Sequence, residues 1–277
     1  MAARPVIFVL VCTIDDGILR VPQVLLPAED GVRYVVSWQQ TTPAATAAPG
    51  ALMRDDVTLT TLSGRGLCRN RNHAMEVAMS QLADPLEDVV FVLADDDERV
   101  DAEAFAKIRA LYGNHPRLDG ALMRMRSSAD GTYFKAYPPK MVRYGQHPRS
   151  YYPASVEMTF RSRVWAMGVC FDERFGLGSA ELCAGEEDVW LTDMLRRGLR
   201  VYVVPEDLCS TNPVTTGSRA MEAKVLRSKG AVYGYRHGWP RAFLRSLREA
   251  LSLAVRQRAS FFFIFRNIWY GVKYIRS

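Results

Sequence analysis

The sequence predicts an α/β fold, a mostly parallel but mixed sheet flanked by helices, with a helical C-terminal appendage. Three observations predict it. Strand-like and helix-like segments alternate through the first half, short strand-like pieces broken by Gly and Pro follow, and residues 219–274 carry helical character almost throughout. A chain of 277 residues, 48% hydrophobic and 24% charged, can bury one large core or two smaller ones in the ordinary globular manner.

Taken in order, residues 5–12 read as a buried first strand. Arg4 followed by the apolar run 6–14 has the outline of a short signal peptide, but Asp15 and Asp16 close it and no small-x-small cleavage site follows. Strands are predicted at 32–38, 57–62 and 89–93, and helices at 67–82 and 101–112, the second capped by Asp101. Residues 40–51, QTTPAATAAPGA, read as a surface loop. Between 119 and 165 the pieces GALMRM, TYFKAY, KMVRY and SVEMTF suit antiparallel excursions over one end of the sheet. A Gly-rich bend, FDERFGLGSA, leads to a helix over 186–197 and a strand over 199–204, and the helical tail is broken near 234–240.

Five cysteines (Cys12, Cys68, Cys170, Cys183, Cys209) form no C-x-x-C pair, which predicts reduced thiols in a cytoplasmic chain, with neither disulfides nor zinc. Cys68 and Cys170 are expected to be buried small apolar residues. No apolar stretch approaches the ~20 residues of a transmembrane helix. The net charge of +6 is uneven: residues 236–277 hold nine Lys or Arg and one acid, a balance of +8, against 27 basic and 29 acidic side chains elsewhere. A charge confined to the tail asks for a partner specific to the tail.

The motifs carry more than the composition does. In FVLADDDERVDAEAF, Asp95, Asp96 and Asp97 stand directly behind a buried strand, at the end where open α/β sheets bind ligands. They are either a solvated turn or a site for a divalent cation, which turns their mutual repulsion into attraction. An EF-hand does not fit, because Arg99 would take its third ligand position. VCTIDD closes the first strand, GRGLCRNRNHAMEVA is a basic cluster opening a helix, and GSAELCAGEEDVWLTDML supplies a second acidic cluster. Metal-binding carboxylates, basic groups at a helix N-terminus and a separate carboxylate for proton transfer suit a nucleotide-diphosphate substrate.

In this order the motifs resemble the family 2 inverting glycosyltransferases with the GT-A (Rossmann-like) nucleotide-diphospho-sugar transferase fold. The resemblance runs from about residue 5 to 217: Asp95-Asp96-Asp97 is similar to the D-x-D element, and Glu187-Asp188 with Leu191 to the E-D-x-x-L element. FDERFGLG and the R-N-R-N run match as well. It implies a catalytic domain over 1–217 and a basic amphipathic helical region over 218–277. Asp95 would hold the ribose and assist the metal, Asp96 would belong to the same donor-binding element, and Asp97 would ligate Mn2+ or Mg2+. Arg69 would approach the diphosphate, Thr13 and Asp15 would line the nucleoside pocket, and Asp188 would be the general base beside Glu187. The implied activity is transfer of a hexosyl or N-acetylhexosaminyl group, with inversion, from a UDP-linked donor to a glycan or lipid-linked acceptor in bacterial surface polysaccharide synthesis.

Two departures bear on that. Where relatives end the second strand with an acid that reads uracil, this chain has Gln39, whose amide can donate and accept at the same base edge. Where some relatives supply a metal-binding histidine, residues 210–213 read Ser-Thr-Asn-Pro, leaving the metal to the aspartates. His73 reads as a surface or satisfied histidine within a helix, and Asp188 as a base or merely a helix cap.

Rival readings are a nucleotidyltransferase, which lacks its Gly-rich triphosphate loop over residues 10–20, and a catalytically silent glycan-binding or membrane-scaffold protein. In the tail, Phe243, Leu244, Leu247, Leu251, Ala254 and Val255 share one face, and Arg241, Arg245, Arg248, Ser252 and Arg256 read as the opposite one. That pattern suits a helix packed on the domain, or one lying on anionic lipid at the inner face of the cell membrane, aided by Trp269, Tyr270 and Tyr274. No nucleic-acid reader motif is present.

Overall fold

Continuous apolar runs form the buried strands β1 (Ile7–Ile14) and β4 (Val90–Asp95), and β2 (Val32–Gln40) and then the edge strand β3 (Val57–Ser63) extend the sheet in parallel beside β1. A computed structural model describes residues 5–41, 46–84, 87–148, 150–212 and 221–277. β1 pairs in parallel with β2 and with β4, and β2 pairs in parallel with β3. Ile7 to Val11 are wholly buried, as a strand covered on both faces requires. The sheet order is β3-β2-β1-β4-β8-β6-β9-β5, with β7 pairing β9. Here β5 is Arg99–Val100, β6 Gly120–Ser127, β7 Val142–Arg143, β8 Met158–Arg161 and β9 Val201–Thr211. β8 runs antiparallel between β4 and β6, and β6 pairs in parallel with β9, so the sheet is mixed as expected.

Helices α1 (Leu67–Ser80), α2 (Ala104–Asn114) and α3 (Ser162–Ala166) follow β3, β5 and β8. α2 turns Phe105, Ile108 and Tyr112 into the core, the i, i+3, i+7 set of an amphipathic helix. Asp101 does not cap it: the first helical residue is Ala104, and the Asp101 carboxylate accepts from Arg126 Nη2 at 2.7 Å. TYFKAY forms no named strand. Its Lys135 and Tyr137 instead serve the buried carboxylate of Glu157, Lys135 Nζ donating at 2.9 Å beside Tyr151 Oη at 2.9 Å. β9 outruns the predicted 199–204, and its register with β6 shifts near Pro205, which cannot donate to the ladder.

The chain divides into two compact units. The first holds the sheet and comprises residues up to 65, 69–170 and 193 to the end of β9. The second comprises 66–68, 171–192 and the C-terminal helices. It contains the Gly-rich bend, the first turns of α4 (Glu186–Arg196), and α5 (Ala223–Arg236), α6 (Trp239–Gln257) and α7 (Phe261–Tyr274). The boundary expected at residue 217 falls outside the described residues, as do residues 42–45 of the predicted loop.

α5 and α7 approach backbone to backbone. A Cβ on Gly230 would sit 1.8 Å from the Ile268 carbonyl oxygen, and one on Gly271 would sit 1.8 Å from that of Arg227. Leu226, Ala250, Ile264 and Ile268 form the core of this bundle. A second break that the sequence reading missed separates α6 from α7, where Arg258 is left-handed and Ser260 Oγ accepts from Phe263 N. All five cysteines are free thiols, and Cys170 is exposed rather than buried, standing just before the bend. Among the described residues, no helix is long and apolar enough to cross a membrane.

Candidate functional site

The register of the parallel strands delivers polar residues to one edge. Ile14 lies opposite Gln39 and Cys12 opposite Asp95, so the ends of β2, β1 and β4 lie side by side. The chain leaves β1 toward β2 and β3 on one side and returns as β4 on the other. That reversal of strand order makes the crevice where open α/β sheets take ligands.

The three aspartates at this edge have different surroundings. Asp96 is buried, and its carboxylate accepts from Thr13 Oγ1 at 2.5 Å and from Arg20 Nη2 at 2.6 Å and Nε at 3.1 Å. Gly17 allows this clasp, since a Cβ there would lie 2.1 Å from Asp96 Oδ2 and 2.5 Å from Thr13 Oγ1. Asp95 is half-buried and accepts from Arg71 Nη2 at 3.3 Å, while its backbone N donates to Glu98 Oε1 at 2.9 Å. Burial, then the charge of Asp95, raises the Glu98 carboxyl well above the usual range. Asp97 projects outward, and partial burial followed by the charges of Asp95 and Asp96 raises its pKa.

Asp97 is therefore a carboxylate whose charge is disfavoured first by partial desolvation and then by repulsion from Asp95 and Asp96, and Asp95 is itself held by Arg71. A divalent cation relieves that repulsion, so Asp97 and Asp95 fit a hard-cation site. Among the described residues, no three His, Cys, Asp or Glu side chains group as a metal cage. Two carboxylates suffice for a cation that takes its remaining ligands from phosphate oxygens and water.

The other predicted donor residues gather on the same unit. Thr13 is buried beneath Asp96, and Gln39 is buried at the end of β2. Asp15 adopts φ 47°, and its carboxylate accepts from Thr41 N and Thr41 Oγ1, both at 2.8 Å. Those hydrogen bonds, the backbone one first, lower its pKa and pin the chain leaving β2. Arg69 is exposed in the first turn of α1, donating to Ser63 O at 3.1 Å. His73 is satisfied by Thr60 Oγ1 at 3.0 Å, as the sequence suggested.

Sequence reasoning quoted Asn70 and Arg71 only within the R-N-R-N run, giving neither a role, and missed Arg20 and Gly17. Asn70 Nδ2 donates to Thr13 O at 3.0 Å, and Arg71 Nη2 donates to Ser155 Oγ at 2.7 Å as well as to Asp95. Both are buried on the face of α1 that carries Ala74, Met75 and Ala78. Helical spacing from those three residues was the available signal.

Glu187 and Asp188 belong to the second unit, in the first turn of α4. Asp188 Oδ1 accepts from Arg236 Nη2 at 2.7 Å, and the same nitrogen donates to Asp188 O at 3.0 Å. Arg236 Nε also donates to Thr192 Oγ1 at 2.9 Å, so one guanidinium spans a full turn of α4. The preceding bend is real: Gly176, Gly178 and Gly185 all have positive φ. Glu186 is buried, and Phe171 stacks on Trp190 with ring centroids 5.5 Å apart.

No family model matches the sequence, and no curated protein matches it. Solved structures do resemble it. Residues 1–349 of S. aureus TarS are 11% identical over 97% of this chain and 91% of that one, with a TM-score of 0.58. The same TarS segment in complex with UDP-GlcNAc gives 12% identity, the same coverage and a TM-score of 0.57. The mannosyltransferase PcManGT from Pyrobaculum calidifontis, in complex with GDP-Man and Mn2+, is 14% identical over 99% of this chain and 76% of that one, with a TM-score of 0.51. At such identities the likeness establishes the fold: the GT-A type of α/β domain with a C-terminal helical region.

Proposed function

We propose that this protein is a metal-dependent inverting glycosyltransferase of the family 2 type. It would move a hexosyl or N-acetylhexosaminyl group from a nucleotide-diphospho-sugar to a hydroxyl of a glycan or lipid-linked acceptor. The observation that carries the reading is the Asp95–Asp97 loop at the strand-order reversal. There Asp96 is locked inward by Thr13 and Arg20 and Asp97 is left outward under repulsion. UDP is the expected carrier, and structural neighbours bound to UDP-GlcNAc and GDP-Man support a nucleotide-sugar donor in this fold.

Asp97 and Asp95 would hold Mn2+ or Mg2+. The cation, when bound, supplies positive charge to the leaving diphosphate. Asp96 shapes the loop, and Arg71 fixes the Asp95 carboxylate. Thr13, Asp15 and Gln39 border the nucleoside, and Arg69 offers an exposed guanidinium to phosphate. Asp188 takes the proton from the acceptor hydroxyl as its oxygen attacks the anomeric carbon. Arg236 holds that carboxylate in one orientation, with Glu187 beside it. Surface polysaccharide synthesis on the cytoplasmic side of a bacterial membrane is the setting we assign.

A panel of nucleotide-sugars, screened by thermal shift with Mn2+ and with EDTA, tests this reading. One donor should stabilise the protein only with metal, and Asp97→Ala should abolish that shift while the ligand-free melting temperature holds. Stabilisation that survives both EDTA and Asp97→Ala removes the metal from the proposal.

A further inference from the structure

We propose that the outward face of α6 docks on the anionic surface of a lipid bilayer. The helix buries its small residues, Ala242, Ser246 and Ala250, and presents large apolar ones to solvent. Leu244 is 62% exposed, Leu251 52% and Val255 80%. Their spacing of i, i+7 and i+11 aligns them in one narrow stripe. Helices of water-soluble folds do the reverse, facing their large apolar residues inward, and an exposed apolar stripe rimmed by polar groups marks an interaction site.

Charge identifies the partner. At 3.6 residues per turn, Arg241, Arg245, Arg248 and Arg256 adjoin the stripe rather than opposing it, which corrects the sequence reading. The one carboxylate on α6, Glu249, is engaged elsewhere, by Lys229. All four arginines are exposed, with no carboxylate partner among the described residues. Phe262, 81% exposed at the start of α7, adds another apolar side chain to the same unit.

Other occupants satisfy only part of this surface. A second copy would bring two arginine clusters together, at a repulsive cost. A nucleic acid would satisfy the arginines and leave the Leu-Leu-Val stripe in water. Anionic headgroups over acyl chains meet both needs, as interfacial amphipathic helices do. Because no described helix spans a bilayer, the contact lies in the plane of the surface. The inference does not depend on the transfer chemistry.

The experiment is cosedimentation of the full chain with vesicles of equal parts phosphatidylglycerol and phosphatidylcholine, and with phosphatidylcholine alone. The protein should bind the mixed vesicles, leave them in high salt and ignore the neutral ones. Arg241→Gln/Arg245→Gln/Arg248→Gln should weaken partitioning about a hundredfold. Leu244→Ser/Leu251→Ser/Val255→Ser should weaken it at least about tenfold. Both sets are at exposed positions, and an unchanged melting temperature confirms intact folding. A wild type that stays in solution, or variants that bind as it does, overturns the proposal. So does a lipid-free dimer that the serine variant dissociates when vesicle binding is absent. Loss of binding in the arginine variant alone would also overturn it, in favour of a purely charged partner.

Discussion

Asp95, Asp96 and Asp97 are chemically identical, so only their surroundings can separate their roles. The sequence offers the triplet; it does not offer the ion pair with Arg20 or the hydroxyl of Thr13, which lies 83 residues away. Asp188 makes the same point. Its helix-cap reading weakens once the carboxylate is seen paired with Arg236, 48 residues further on, rather than with its own first turn. If Asp188 is the general base, Asp188→Asn should reduce turnover by ~10²–10⁴-fold with donor affinity intact. Arg236→Gln should fall between that variant and wild type, because it keeps the carboxylate but releases its orientation. Steady-state kinetics with donor and acceptor varied separately checks both. Near wild-type kcat for Asp188→Asn would take it out of the mechanism.

At the scale of elements, what was legible follows from burial on both faces. β1 and β4 are continuous apolar runs, and their register, with Ile14 opposite Gln39 and Cys12 opposite Asp95, brings Gln39, Thr13 and Asp95 to one edge of the sheet. TYFKAY has the alternation of a strand but spends it on one buried carboxylate, Glu157, which pattern reading cannot see. Arg71 sits in the basic R-N-R-N run, where nothing in the sequence marks it as buried, yet the face of α1 it occupies turns inward. Helix packing gives a sharper case. Gly to Ala within a helix ordinarily gains about 1 kcal/mol from propensity. At Gly230 the new methyl would lie 1.8 Å from the Ile268 carbonyl oxygen and 2.6 Å from its carbon, both backbone atoms. Overpacking of this kind costs about 1–3 kcal/mol or more, so the clash outweighs propensity. Gly230→Ala should therefore lower the melting temperature by several degrees, about 2–4 °C per kcal/mol for a domain of this size. Thermal denaturation measures the sign directly, and a rise would mean that α5 and α7 are not in backbone contact.

For the whole molecule, the sequence suggests a catalytic domain over 1–217 and a basic helical region over 218–277, and the packing groups residues 171–192 with the C-terminal helices. The reason is local and specific. Gly185 lies against Val232 so closely that a Cβ would be 2.7 Å from its Cγ2. Ala184 N donates to Ser228 Oγ at 3.3 Å, Arg227 Nη1 bonds Glu181 at 2.6 Å, and Arg236 holds Asp188. A chain ending at residue 217 would lose each of these partners at once. The bend and the first turn of α4 would then keep their glycines and carboxylates but not the contacts that order them. The metal-dependent donor shift, which depends on Asp97 and the sheet, should survive the truncation, while amides of residues 171–192 should exchange with solvent much faster and turnover should vanish. Hydrogen exchange on the full and truncated chains, read beside donor titration, separates the two effects. If residues 171–192 stay as protected as in the full chain, α5 is not what orders the acidic turn, and Arg236 loses its place as the residue that holds Asp188.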